Sequence, residues 1–151
     1  MSTHEEKAKQ LFLEGYSCAQ AVFCAFSDEL GVDRETALRL SSSFGGGMGR
    51  LREVCGAVSG MFMAAGVKYG YSDPKARDEK AEHYARIQKL AGDFKEQNGS
   101  IVCRELLGLQ QKQDGPVPEE RTQEYYKKRP CVDLVGDAAR MLETYIMDSG
   151  E

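Results

Sequence analysis

The chain has 151 residues and a formal net charge of -4, with no tryptophan, four prolines and five cysteines. That length supports one domain with its own hydrophobic core. The acidic balance excludes a nucleic-acid or anionic-membrane partner, because both require a basic surface.

Apolar residues recur at helical rather than alternating spacing along almost the whole chain. The polar start, Ser2-Thr3-His4-Glu5-Glu6-Lys7, lacks the apolar core of a signal peptide. A first helix is predicted from about His4 to Leu30, ending at Gly31. Its stripe is Leu11, Gly15, Cys18, Val22 and Ala25, widened by Phe12, Ala19, Phe23, Phe26 and Leu30. Asp33 is placed to cap a second helix through Leu40, followed by a turn at Gly45-Gly46-Gly47-Met48-Gly49. A third helix carries Cys55-Gly56-Ala57-Val58-Ser59-Gly60, whose small residues permit close approach of another helix or a ligand.

Ser72 or Asp73, followed by Pro74, is expected to open a fourth helix reaching Gln97. Its stripe would be Tyr84, Ile87, Ala91 and Phe94. Ser100 is a cap for a short helix with Cys103, Leu106 and Leu107. A loop over 108–118 precedes a polar helix from Pro118 to Arg129. A last helix begins near Cys131 and places Val135, Ala138, Leu142 and Tyr145 on one face. The expectation is an all-α, single-domain bundle of five to seven helices with short connections, spanning 1–151. The apolar run from Val54 to Val67 is too short for a bilayer span, so the chain reads as cytoplasmic and not membrane-inserted.

In a reducing compartment, five cysteines point away from a structural disulfide framework. Cys18, Cys55, Cys103 and Cys131 fall on apolar faces of different predicted segments, which permits their convergence. The bland alternative is four unrelated core thiols. Cys24 shares a stripe with Ser17, Gln20, Ser27 and Asp28 and reads as a bystander. Cys55, Cys103 and Cys131 each lie in or near a predicted first helical turn, where unpaired N–H groups favour a thiolate. Arg50 and Arg52, Arg104, and Lys127-Lys128-Arg129 are their basic sequence neighbours, and Cys55 and Cys131 are the preferred reactive thiols. No Cys-x-x-Cys occurs, so any cluster is assembled by tertiary packing. Soft thiolates would suit zinc or an iron–sulfur cluster.

The glycine run is not a phosphate loop, because no strand precedes it and no Gly-Lys-Ser/Thr follows. Its N–H groups, at Gly45, Gly46 and Gly47, together with Gly56, are candidates to face an anion, a cofactor or a cluster sulfur. His4 is expected at a frayed terminus, and His83 as a surface or packing residue. No hydrolytic constellation is present, and Met48, Met61 and Met63 read as core filler.

Cys18 in Gly15-Tyr16-Ser17-Cys18-Ala19-Gln20, then Cys55-Gly56-Ala57-Val58-Ser59-Gly60, then Cys103 and Cys131, resemble a family of redox-active proteins. That family is named for a Cys … Cys-Gly-Ala-x-x-Gly … Cys … Cys pattern. Val54 stands ahead of the central motif, and Cys24 lies outside the pattern. The resemblance implies redox chemistry at Cys18, Cys55, Cys103 and Cys131, by thiol/disulfide exchange or iron–sulfur electron transfer. The alternative is a binding module holding zinc through the same four residues. It also implies a redox partner protein or a transporter-associated protein. A homodimer is a further expectation from exposed helix faces.

Overall fold

The computed structural model describes residues 2–109 and 113–150. Among them the fold is all-helical, with α1 (Thr3–Leu13), α2 (Cys18–Ser27), α3 (Arg34–Ser41), α4 (Gly56–Tyr69), α5 (Arg77–Asn98), α6 (Cys103–Leu106), α7 (Gln123–Lys128) and α8 (Cys131–Asp148). Six of these have eight residues or more, in line with the expected bundle. None is long and apolar enough to cross a membrane.

The single long first helix does not form. Gly15 adopts φ +110, and the chain restarts at Ser17. The Ser17 side chain accepts the Gln20 N–H while the Gln20 side chain accepts the Ser17 N–H. This reciprocal capping box satisfies two backbone donors and fixes Cys18 as the first residue of α2.

Helix α2 is the hub of the core. Ala19, Ala21, Val22, Phe23, Cys24, Ala25 and Phe26 are all buried, so it is wrapped on every side rather than amphipathic. Cys24 is only 2% exposed, and its expected polar stripe is absent. The reason is that Ser17 and Gln20 are consumed in the cap, and Ser27 bonds the Cys24 carbonyl within the core. Helices α1, α4 and α8 surround α2, and α5 closes the bundle through His83, Leu90 and Phe94.

Two glycines of α4 allow its approach to α2. A Cβ on Gly60 would lie 2.7 Å from the Ala19 carbonyl oxygen. One on Gly56 would lie 2.9 Å from the Phe44 carbonyl and 3.1 Å from the Cys18 Cβ. Backbone atoms move only with their helix, so Gly60→Ala is expected to cost about 1–3 kcal/mol through overpacking. A denaturant titration reads this as a lowered midpoint at unchanged slope.

Other expectations shift at their edges. Helix α5 starts at Arg77 rather than beside Pro74, and its buried face uses His83 and Leu90, leaving Tyr84 half exposed. The polar helix before Pro130 shrinks to α7, capped by Thr122. Part of the expected 108–118 loop, at 110–112, lies outside the described residues. His4 is not frayed: its ring stacks on Phe26 at 4.2 Å and its nitrogens engage Glu143 and Glu29.

Candidate functional site

Because α2 begins at residue 18, all four pattern cysteines stand at helix starts. Cys18, Cys103 and Cys131 are the first residues of α2, α6 and α8, and Cys55 is the residue before α4. Cys55 and Cys103 are also joined through the backbone. Val54 and Val102 form an antiparallel bridge, with Cys55 N–H donating to the Ile101 carbonyl at 2.8 Å and Cys103 N–H donating to the Glu53 carbonyl at 2.6 Å. Residues next to a bridged pair point to the opposite face from it, so this ribbon directs both thiols the same way.

The four cysteines line one cavity of about 310 Å³. Gly45, Gly46, Gly47 and Gly56 line it as well, together with Arg50, Arg52, Arg121 and Arg129. Cys55, Cys103 and Cys131 are buried, and Cys18 is the most exposed of the four. Cys24 is also a free thiol but does not line the cavity.

The glycine run forms one wall as a left-handed turn. Gly46, Gly47, Met48, Gly49 and Arg50 are consecutive residues with φ between +59 and +72. Its bonds close back on themselves, with Arg52 N–H donating to the Gly46 carbonyl and Glu53 N–H donating to the Gly47 carbonyl. Met48, Arg50 and Arg52 adopt this geometry without being glycine, which costs each of order 1–3 kcal/mol. The strained backbone delivers two arginines to one place. Arg52, 5% exposed, donates from Nε to Asp114 at 2.7 Å and from Nη1 to the Cys103 sulfur at 3.5 Å. Arg50 donates to the Gly115 carbonyl and pairs with Asp114. These contacts tie Asp114 and Gly115 to the glycine turn beside the cavity.

The basic neighbours divide when placed in space. Arg52 serves Cys103 rather than Cys55, and Arg104 pairs with Glu53. Lys127 and Lys128 are exposed, and Arg129 binds Glu119. The sequence reading missed Arg121, Asp114, Glu119 and Tyr125. Arg121 sits 4.3 Å from the Phe12 ring centroid and donates to the carbonyls of Phe12 and Tyr16.

The thiols are not equivalent. The neighbouring Cys131 thiol is the main cause that draws the Cys18 thiol down from 9.0 to about 7. Burial opposes the shift, while a Gly46 N–H and the Arg121 charge reinforce it. Cys131 moves the other way, because its proton is held between two sulfurs. The first ionisation therefore belongs to the pair, which keeps its second proton. Burial raises Cys55 and Cys103, and the nearby Cys18 charge adds to both. The Arg52 hydrogen bond offsets part of the rise at Cys103. Cys55 and Cys131, the two thiols expected to ionise most readily, are both raised, and Cys18 is the one drawn down.

The family described as "Putative redox-active protein (C_GCAxxG_C_C)" matches residues 16–145. The chain belongs to that family. All four cysteines of the family pattern line the cavity described above, and its central motif supplies both Cys55 and the two glycines of the α2–α4 contact. No curated protein and no solved structure matches the chain.

Four thiols are a suitable donor set for zinc or an iron–sulfur centre in chemistry. In geometry they do not fit: among the described residues no three Cys, His, Asp or Glu side chains gather closely enough to hold a metal ion. The four thiols instead line one cavity and shift one another's ionisation, Cys18 and Cys131 most strongly.

Proposed function

We propose that this chain is a thiol–disulfide oxidoreductase in which Cys18 is the attacking thiolate and Cys131 the resolving thiol. The observation that carries this reading is that Cys18 and Cys131, the first residues of α2 and α8, line one cavity with Arg121, where the Cys18 thiol is drawn down. A thiolate attacks best when its pKa lies near the ambient pH, since a higher value leaves too little anion and a lower one weakens the nucleophile.

The step balances without a cofactor. The Cys18 thiolate attacks one sulfur of a substrate disulfide, forming a mixed disulfide and expelling one thiolate. The Cys131 sulfur then attacks the Cys18 sulfur, expels the second thiol and gives its proton to a leaving group. Two electrons pass from the protein dithiol to the substrate, and a Cys18–Cys131 disulfide remains. A separate dithiol, such as that of a redox partner protein, returns the pair to its reduced form by the reverse exchange.

The pH dependence of alkylation tests the assignment. The Cys18 carboxamidomethylation rate is expected to rise about tenfold per pH unit below 7 and to level off above it, because only the anion reacts. Peptide mass spectrometry should place the first label on Cys18 and, after mild oxidation, a bridge between Cys18 and Cys131. A Cys18 midpoint near 9, or first labelling at Cys55, would overturn the assignment.

A further inference from the structure

We infer that the cysteine cavity takes small disulfides bearing a carboxylate, and that Arg121 is the residue that recognises the carboxylate. This rests on the thiol–disulfide reading and names the substrate class for it.

Size is the first argument. Cys55, Cys103 and Cys131 are buried and Cys18 is half-buried, inside a cavity of about 310 Å³. That volume lies at the lower end for small-molecule pockets. Arg50 and Arg52 tie the segment carrying Asp114 and Gly115 beside the cavity. With three of its four cysteines buried, the cavity is reached more readily by a short, flexible disulfide than by one on a folded protein surface.

Charge is the second argument. The chain as a whole is acidic, with a net charge of -4. Its cavity is the reverse. Four guanidinium groups line it, and among the described residues two carboxylates reach them, Asp114 and Glu119. Ionising the Cys18 and Cys131 pair still leaves positive charge in excess. Three of the arginines are held by those carboxylates. Arg121 is the exception: it meets carbonyls, the Tyr126 hydroxyl and aromatic faces, and its Nε makes no hydrogen bond among the described residues. A guanidinium with an unengaged Nε–H, lining the same cavity as the attacking sulfur, matches a carboxylate.

A charge series of near-equal size tests this on the native, reduced protein. The probes are 3,3′-dithiodipropionate (anionic), bis(2-hydroxyethyl) disulfide (neutral) and cystamine (cationic). Each rate is divided by that of free 2-mercaptoethanol with the same disulfide, which removes differences in the leaving thiol. The anionic probe is expected to lead the neutral one by about tenfold at low salt, with the cationic probe slowest. Added salt should compress the series. In Arg121→Gln the anionic-to-neutral ratio should fall towards one, and Arg121→Lys should keep most of it. Equal or reversed rates on the native protein would overturn the inference, as would an unchanged ratio in Arg121→Gln. If none of the probes reacts, but a disulfide-bonded protein does and gives a Cys18–Cys131 bridge, the substrate class is wrong and the oxidoreductase reading stands. If diamide also fails to join Cys18 and Cys131, that reading itself falls.

Discussion

Replacing Cys131 with serine is expected to stall the protein as a mixed disulfide on Cys18, while replacing Cys18 with serine slows the first attack itself. The asymmetry follows from the opposite shifts of the two thiols, Cys18 drawn down and Cys131 pushed up. Without Cys131 the first attack still occurs, and the remaining cavity thiols, Cys55 and Cys103, are raised by burial and expel the second half of the substrate far more slowly. Intact-mass spectrometry should therefore show a stable adduct on the Cys131→Ser variant and none on Cys18→Ser. The rate loss in Cys18→Ser should be about a hundredfold or more at pH 7, since thiols raised above 9 are no more than about one part in a hundred ionised there. A comparison of two Cys131 variants separates positioning from chemistry. Serine retains an O–H donor, so the Cys18 midpoint should stay well below 9. Alanine removes the donor, and the midpoint should climb by on the order of one to two pH units. Equal midpoints in the two variants would show that the Cys131 proton does not hold the Cys18 charge.

The helical class and most helices were legible because burial imposes a 3.6-residue period on the sequence, and α3, α4, α5 and α8 obey it. The break after α1 was hidden by that same signal. Leu11, Cys18 and Val22 stay in register across Gly15, so the apolar stripe runs through a place where the backbone does not. The decisive local sign was present in Ser17-x-x-Gln20, a capping box. Those two residues also fall at helical spacing from Cys24, and that polar face conceals the cap. Reading the cap correctly moves Cys18 from mid-helix to a helix start and makes it the equal of the other three cysteines. Arg121 was not legible at all. It lies between helices, where no period constrains the sequence, and its place is set by carbonyls of Phe12 and Tyr16 more than a hundred residues away. Nor does the glycine run announce that Met48, Arg50 and Arg52 share its left-handed geometry, since side-chain-bearing residues avoid it by default.

Gly47→Ala is expected to strike the backbone and the thiol site together. Gly47 has φ +72, where an L side chain costs about 1–2 kcal/mol. Its added Cβ would lie 2.6 Å from the Cys103 Cβ, 2.8 Å from the Arg52 Cα and 2.8 Å from the Glu53 nitrogen. Two of these neighbours are backbone held by the Val54–Val102 bridge and by the Glu53 N–H bond to Gly47 itself, so they do not yield independently. Overpacking of this kind adds about 1–3 kcal/mol. The combined loss of about 2–5 kcal/mol should lower the melting temperature by roughly 4–20 °C in a domain of this size. The relief of that clash must push Cys103 or Arg52 away from the turn, lengthening the Arg52–Cys103 contact at 3.5 Å. Arg52 is what partly offsets the burial of Cys103, so the Cys103 thiol should become still harder to ionise. Its alkylation midpoint in partly stabilising buffer should rise, while Gly49→Ala, with nothing closer than 3.8 Å to its added Cβ, should show only the backbone cost. If both variants melt alike and alkylate alike, the turn is not the wall that holds Arg52 against Cys103.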